Sequence, residues 1–366
     1  MKRSAGLSQL RALSRLGLAP EAFIAAALEE MHAIVPSSRN LFDWTDREGR
    51  LLRYYFEGPI DQEISARYFA EFHNRREAEA MPAFRAAMSG CAVVYGAGVI
   101  EHPAFLRSAL YNEIWRPQGL RSRLEAIVRD AMGRPLGSLV LYRGPQDARF
   151  TRRDEVALAR AVPYFAHGLA ARAETDAGAG YASRRDRRAV LSLGPDGELQ
   201  HLSADALKLL LLAHGGVTPE GVSRPPRRAD FDALTALWNG DGRHEGPADG
   251  KPMTVCNAWG RFVFESLALR SLASGAEPVL HVSIVHQEPR CIAMRRALRA
   301  LALTPAQAEV CLLSREGRSQ AEIAHRLGVA RSTVADHVKK IHVRLDVHSA
   351  RELDAVVDRL LDAQPA

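Results

Sequence analysis

The stretch that decides the fold of the carboxyl-terminal part of the chain is "GRSQAEIAHRLGVARSTVADHVKKIHVRLDV", residues 317–347 of 366. In its second half four apolar residues recur with a period near 3.6, which predicts a helix that buries one narrow face. These residues are Val334, Val338, Ile341 and Leu345. The residues on the opposite face of this helix are mostly small, polar or basic, so this face could fit into a groove. They are Ser332, Asp336, Lys339, Lys340 and Val343.

A shorter helix precedes the glycine at 328. Ser319 followed three residues later by Glu322 is the pattern of a capping box, in which the two residues satisfy each other's backbone amides. Gly328 ends this helix at a position where a positive φ costs little. A second box, Thr304 with Gln307, starts an earlier helix. Two helices around a tight glycine turn, with a basic second helix, predict a helix-turn-helix whose second helix lies in the DNA major groove.

These residues resemble the LuxR/FixJ-type DNA-binding domain. Two departures from the family pattern are Ala330, where the family usually has a serine cap, and the trio 306–308, which is usually more charged. The matching positions are Leu303, Thr304, Glu309, Val310, Gly317, Ser319, Glu322, Ile323, Ala324, Leu327, Val329, Thr333, Val334, His337, Ile341, Leu345 and Val347. The resemblance implies double-stranded DNA as the partner, with contacts from Arg331, Ser332, Thr333, Ala335, Asp336, Lys339, Lys340 and Arg344.

Charge and composition agree with this reading. The formal net charge is +6, and the segment from Arg290 to the end carries 13 lysines and arginines against 9 acidic residues, as a polyanion-binding end requires. The four cysteines fit neither a disulfide framework nor metal spacing, so we predict no cofactor, no metal and a reducing compartment. Since no apolar run is long enough for a membrane span, the expected protein is soluble and cytoplasmic.

Two α+β domains are predicted in front of this module. Residues 1–172 alternate strands and helices and close with a strand pair and a helix opened by "FTRRD", a pattern that is similar to a GAF domain. Residues 173–188 are small, polar and then charged, which favours a flexible linker. The strand and helix order of residues 189–287 resembles a PAS domain. A connecting helix, 288–302, then leads to an all-α helix-turn-helix bundle at 303–366.

Aromatic residues predict a ligand pocket in the first domain. Phe42 and Trp44 share one face of a strand, and Tyr54 and Phe56 share one face of the next. Large apolar rings with polar tips suit a small, apolar or aromatic effector. Arginines near Trp115 are candidates to bind an effector carboxylate. The full predicted set is Phe42, Trp44, Tyr54, Phe56, Tyr95, Tyr111, Trp115, Arg116 and Arg121.

The combination predicts a transcription regulator, and two related classes of regulator are excluded. No lysine lies between Lys2 and Lys208, so a phospho-receiver domain is excluded, and no phosphate-binding loop motif exists. The expected regulator acts as a homodimer on an inverted repeat. Two alternatives stay open: an acyl-homoserine-lactone-type receptor, and an enzyme with a DNA-binding tail that uses Cys91, His73, His102 and Glu101. The enzyme reading is disfavoured because these residues match no catalytic motif.

Overall fold

The computed structural model describes residues 2–90, 92, 94–95, 102–170, 180–238, 252–270, 278–301 and 303–362. The chain divides into two compact units, Met1–Thr175 with Arg188–His286, and Asp176–Arg187 with Gln287–Ala366. The first unit contains two antiparallel sheets with helices, and the second ends in an all-helical bundle, so the predicted α+β fold class is confirmed. Among the described residues, no helix is both long and apolar enough to cross a membrane.

The amino-terminal domain is a five-stranded antiparallel sheet with helices on both faces. Its strands are hydrogen-bonded in the order β2-β1-β5-β4-β3, which places the first and fifth strands in the middle. The strands are β1 (Arg39–Thr45), β2 (Leu51–Phe56), β3 (Val94–Tyr95), β4 (Ser122–Arg129) and β5 (Pro135–Arg143). The helices are α1 (Lys2–Leu13), α2 (Pro20–Ile34), α3 (Gln62–Arg67), α4 (Phe84–Ser89), α5 (Pro103–Arg107) and α6 (Arg152–Ala170).

One face of this sheet is covered by α2 and α6, and α1 packs against both helices. The start of α6 is fixed by Asp154, whose carboxylate accepts hydrogen bonds from the Thr151 amide and hydroxyl, both at 3.0 Å. In the core beneath, the Phe42 ring stacks on Phe165 at 6.2 Å between centroids. A Cβ on Gly168 would lie 2.4 Å from the ring of Phe23, so only glycine allows α2 and α6 to approach this closely.

The second domain repeats the same sheet order. Its strands run β7-β6-β10-β9-β8, again with the first and fifth in the middle. The strands are β6 (Tyr181–Leu193), β7 (Leu199–Leu202), β8 (Met253–Asn257), β9 (Gly260–Leu269) and β10 (Val279–Pro289). The helices are α7 (Ala206–Ala213), α8 (Pro219–Val222) and α9 (Asp232–Leu237).

The predicted flexible linker is wrong in its second half. Residues 181–188 form the first part of the continuous strand β6, and the remaining linker residues 173–179 lie outside the described residues. Composition misled here because small and charged residues are common in linkers, whereas a strand also accepts charged residues where their side chains reach solvent. Within this strand Arg184 pairs with Asp186, which balances part of its charge.

The carboxyl-terminal bundle consists of α10 (Arg290–Arg299), α11 (Pro305–Arg315), α12 (Gln320–Leu327), α13 (Arg331–Leu345) and α14 (Ala350–Asp362). Its buried core includes Val310, Ile323, Val334, Ile341 and Val357. The predicted connecting helix is α10, and Met294 and Leu298 place it in this same core. It is therefore an integral part of the bundle and not a free connector.

Candidate nucleic-acid interface and ligand cavity

Local side-chain chemistry builds the helix-turn-helix. The predicted capping box at the start of α12 is present, with the Ser319 amide donating to Glu322 at 2.7 Å and the Glu322 amide donating to the Ser319 hydroxyl at 3.3 Å. Gly328 ends α12 at φ 66°, in the left-handed region. Ala330 occupies the N-cap of α13 in an extended conformation and provides no side-chain cap. The entry to α13 is thus formed by the turn alone.

The apolar stripe of α13 faces the bundle core as its spacing predicts. Val334 and Ile341 are fully buried, and Val338 and Leu345 pack partly buried against the same cluster. The opposite face is exposed. Of the eight predicted DNA-contacting residues, seven are exposed and Thr333 is half-buried. In the part of the chain that the structure describes, none of the eight side chains forms an ion pair or a side-chain hydrogen bond, which leaves their polar atoms available to an outside partner.

Basic residues that the sequence analysis missed lie on the preceding helix. A shallow surface concavity is lined by Arg318, Ala321, Glu322, His325 and Arg326 around α12. In helix-turn-helix proteins the first helix crosses the DNA backbone while the second enters the groove. The sequence contained a signal for these residues: His325 and Arg326 directly follow the buried residues of α12 and therefore lie on its exposed side.

Most of the apolar residues of the last helix, α14, pack inside the bundle. Leu353 and Val357 are buried, and Val356 is partly buried against the same core. Ion pairs also hold α14, since Arg315 contacts Asp358 at 2.7 Å and Arg290 contacts it at 2.9 Å. The buried part of this stripe is therefore not free to pair with another copy of α14.

A cavity of about 120 Å³ opens on the other face of the amino-terminal sheet. It lies between the strands and the segment that runs from α3 through the π-helical turn Tyr68–Phe72 to α4. Aromatic rings form much of its wall: Tyr54, Phe56, Tyr68, Phe69, Phe84, Trp115 and Tyr142. An apolar cavity of about 150 Å³ is known to hold benzene, so the volume suits one ring or a short chain.

Strand register decides which predicted aromatics reach this cavity. Asp43 pairs with Tyr54, and Phe42 pairs with Tyr55, in the β1–β2 ladder. Paired residues point to the same face, so Tyr54 and Phe56 lie on the cavity face, whereas Phe42 and Trp44 lie on the opposite face. Phe42 and Trp44 were predicted to line a pocket, and they do not line this cavity for that reason. Trp115 does line the cavity.

Four further predicted ligand residues fall elsewhere or cannot be placed. Tyr111 packs its ring against Phe105 at 5.7 Å and does not line the cavity. Arg116 is exposed, and Arg121 reaches the Pro145 carbonyl at 3.4 Å, so neither guanidinium faces this space. The side chain of Tyr95 lies outside the described residues. The arginine that does line the cavity is Arg123, the second residue of strand β4.

Charged groups in and beside the cavity were not predicted. Arg123 lines it and donates to Glu125 at 2.6 Å on the same strand. Glu77 is fully buried and accepts hydrogen bonds from the Tyr68 hydroxyl at 2.9 Å and from the backbone amides of Asn74 and Phe84. These contacts satisfy the carboxylates of Glu77 and Glu125. The Arg123 Nε–H is buried without a partner among the described residues.

Asp43 differs from these two glutamates. Its carboxyl lines the cavity, the residue is only 7% exposed, and it accepts no hydrogen bond from the described residues. Burial raises the pKa of this carboxyl well above its usual value, Glu125 and Glu77 raise it further, and Arg123 opposes them. Burial also lowers the pKa of the cavity residue His73, which favours its neutral form.

Trp44 instead belongs to a contact between the two sheet domains of the first unit. Its ring meets Trp259 edge to face at 5.6 Å, and Trp259 in turn stacks on Tyr55 at 5.4 Å. Lys208 of the second domain lies over the same Tyr55 ring, 4.4 Å from its centroid. The aromatic pairs on this face therefore join the two domains.

The residues of the enzyme alternative do not form a described cluster. Cys91 and Glu101 lie outside the described residues. His73 lines the cavity and contacts the Tyr68 hydroxyl at 3.3 Å, whereas His102 is exposed and caps α5 through the Ala104 amide at 3.2 Å. Within the described residues there is also no group of three or more histidine, cysteine or acidic residues placed to hold a metal.

Comparison with known proteins identifies the carboxyl-terminal bundle. Residues 301–357 match the family described as "Bacterial regulatory proteins, luxR family". No curated protein matches the chain as a whole. The match covers α11, α12 and α13 and reaches into α14. It includes the exposed face of α13 and the capping residues Ser319 and Glu322 described above.

Solved structures with partial similarity to the chain are distant. A phycoerythrobilin-bound GAF domain from a cyanobacterial phytochrome is 14% identical with a TM-score of 0.33, over 47% of this chain and 96% of that one. The E. coli DhaR(N)-DhaL complex is 15% identical with a TM-score of 0.25, over 76% and 87%. The sensor region of a sensor histidine kinase is 16% identical with a TM-score of 0.20, over 45% and 63%.

Residues 301–357 are a LuxR-family helix-turn-helix DNA-binding domain.

Proposed function

We propose that this protein is a transcription regulator whose affinity for an operator is set by a small molecule in the amino-terminal cavity. The observation that carries the DNA half of the proposal is the exposed face of α13 within a LuxR-family domain. On that face Asp336 and Lys339 are suited to base edges, because a carboxylate accepts from cytosine N4 and lysine donates to guanine. Lys340 and Arg344 are suited to phosphates, together with Arg318 and Arg326 of the α12 region.

The sensor half rests on the cavity itself. A partly open space lined by rings and a few buried polar groups is the usual form of a small-molecule site. Its position behind strand β2 also suggests a route for the signal. On the outer edge of β2 the Tyr54 amide donates to the Val217 carbonyl at 2.9 Å, and Lys208 Nζ donates to the carbonyls of Phe56 and Gly58 at 2.6 and 3.0 Å.

Through these contacts β2, a strand of the first domain, is also hydrogen-bonded to the second domain. Tyr54 and Phe56 line the cavity with their side chains while their backbone groups bond to the second domain. A ligand that shifts β2 alters these bonds directly, and it changes DNA affinity by as much as its preference for one arrangement. We further propose that the second domain is PAS-like and transmits this change.

A homodimer completes the proposal. One helix-turn-helix module contacts few base pairs, and two-fold symmetry doubles the site and its specificity. Since Leu353 and Val357 are buried in their own bundle, the contact between copies must use surfaces other than this stripe. The expected operator is an inverted repeat with half-sites about one helical turn apart.

The experiment is a titration of the full chain onto duplexes selected from a random pool, followed by fluorescence anisotropy. A selected duplex is expected to bind at least about a thousandfold more tightly than an unrelated one. Compounds that bind the cavity are then added at saturation, and the operator affinity is measured again. A change that Tyr54→Phe or Trp115→Phe abolishes, and that Trp44→Phe preserves, supports the sensor role. Equal affinity for all duplexes contradicts the regulator role.

A further inference from the structure

The acidic cavity residues raise the question of what charge the ligand carries. Three carboxyl residues line the space, Asp43, Asp61 and Glu77, against one guanidinium, Arg123. That guanidinium donates to Glu125 at 2.6 Å and is also hydrogen-bonded to the Tyr142 hydroxyl, and its Nε–H has no partner among the described residues. A ligand carboxylate would therefore meet one guanidinium that is already paired with Glu125, beside three carboxyl residues, and any of these that is ionised repels it.

The buried carboxyl of Asp43 is the distinctive feature. Glu77 and Glu125 have partners on both oxygens, whereas Asp43 accepts no hydrogen bond from the described residues. An unpaired buried carboxyl costs free energy, and such groups are normally paired with a donor or cation. It lines the cavity, so a ligand is able to supply the missing partner.

The rings around the cavity favour the same kind of ligand. Tyr54 and Tyr68 both lie near Phe69, at 5.9 and 5.1 Å between centroids, and all three line the space. Aromatic faces attract organic cations through the ring quadrupole, and walls of several rings form the cages that bind ammonium groups. A neutral ring gains only the apolar part of this contact.

We propose, resting on the effector role proposed above, that the cavity binds a small organic amine as its ammonium ion, with the Asp43 carboxylate as its counter-ion. The volume of about 120 Å³ limits the ligand to one ring or a short chain. An N–H bond of the ammonium group donates to a carboxylate oxygen of Asp43, while the apolar part lies among the rings. The same site disfavours carboxylic acids.

Binding is coupled to a proton. Burial raises the pKa of the Asp43 carboxyl and so favours its protonated form, and an ammonium ligand that pairs with the carboxylate releases this proton to solvent. Other titratable or charged groups face this carboxyl from the surrounding elements and contribute to its state: Tyr54 on β2, Tyr68 and His73 on and after the π-helical turn, Glu77 in the following turn, Arg123 and Glu125 on β4, and Tyr142 on β5. Amine affinity therefore rises with pH while the amine stays protonated.

The test is isothermal titration of the full chain with matched probes: benzylamine and n-butylamine as cations, benzyl alcohol as the neutral isostere and benzoate as the anion. At least one amine is expected to bind at least about tenfold more tightly than benzyl alcohol or benzoate. In buffers of different ionisation enthalpy, binding of the amine is expected to release protons, and binding of benzyl alcohol to release none. Benzyl alcohol or benzoate binding as tightly as the amines, or no binding by either amine, overturns the proposal.

Variants make the site specific. Asp43→Asn keeps the shape of the side chain and removes its charge, so amine affinity is expected to fall at least about tenfold and proton release to disappear. Asp46→Asn changes a carboxyl in the exposed turn after β1 and is expected to leave both unchanged. Unchanged amine binding by Asp43→Asn contradicts the proposal. Because binding is measured without DNA, an amine that binds and leaves operator affinity unchanged contradicts only the effector role.

Discussion

Asp43 and Tyr54 are directly paired across strands β1 and β2, and both side chains line the cavity of the amino-terminal domain. The pair brings a buried carboxyl without a hydrogen-bond donor next to a buried phenol that bonds to Ser65. Both groups have raised pKa values because burial disfavours their charged forms. Burial therefore favours the neutral form of both groups, and the stability of the domain depends on pH through Asp43.

The first prediction concerns this dependence. An unfolded aspartate has a pKa of about 3.9, and the folded value of Asp43 lies well above it. As pH rises between the two values, the unfolded state loses its proton first, so Asp43 makes the protein progressively less stable. Asp43→Asn removes this loss and should raise the thermal midpoint at pH 7.5 by about 2 °C or more, with little change near pH 4.

Thermal unfolding followed by tryptophan fluorescence across this pH range measures the effect. Asp46→Asn is the control, because hydrogen bonds from Arg50 lower the pKa of Asp46 and its charged form stabilises the turn. That variant should lose stability, or stay unchanged, above pH 4. A wild-type advantage over Asp43→Asn at pH 7.5 would mean that Asp43 is ionised and paired in the folded protein.

The second prediction uses the missing cap of α13. Ala330 has the extended backbone of an N-cap but no side-chain acceptor. Ala330→Ser should stabilise the first turn by about 1 kcal/mol, since the hydroxyl accepts a hydrogen bond from a first-turn amide. Hydrogen exchange of the first-turn amides should then slow roughly fivefold. Ala335→Ser, at an exposed position inside the helix, should produce no such slowing; equal slowing in both variants would argue against a capping effect.

A third prediction addresses sequence readout. Asp336 is exposed on α13 and suited to accept from cytosine N4. Asp336→Ala should therefore lose about 1–3 kcal/mol of discrimination at one base pair and leave affinity for unrelated duplexes nearly unchanged. Selection from a random pool with both proteins measures this preference. An identical consensus for wild type and variant would remove Asp336 from the reading face.

The fourth prediction concerns symmetry. If two copies bind an inverted repeat, about 5 extra base pairs between the half-sites rotate one half-site to the opposite side of the duplex and should abolish tight binding. An insertion of about 10 base pairs restores the facing and is the matched control. Band-shift titrations on the three duplexes compare them. Equal affinity for all three would indicate binding as a monomer or a flexible assembly.

The parts that sequence analysis predicted well are those fixed by neighbours along the chain. The stripe of Val334 and Ile341 and the capping box of Ser319 with Glu322 depend on residues three to seven positions apart, and a helix fixes such spacings by itself. The structure agrees at each of these positions. The roles of the exposed residues of α13 remain predictions.

The cavity could be predicted only in part, because it depends on register between strands. Alternation along the sequence correctly grouped Tyr54 with Phe56, and Phe42 with Trp44. It does not tell which of the two pairs faces the cavity. The pairing of Asp43 with Tyr54 decides this. A usable signal was present in β4, "SRLEAIVR", where two charges two residues apart interrupt a buried strand and indicate a polar site on one face.

The most direct test of the central claim, that the exposed face of α13 binds DNA, is the salt dependence of duplex affinity for the full chain and Lys340→Ala. Each phosphate contact contributes about 0.9 to the slope of log affinity against log salt. The variant should bind every duplex more weakly and show a slope smaller by about 0.9, while its sequence preference stays unchanged. Identical affinity and slope for the two proteins on every duplex would contradict the claim.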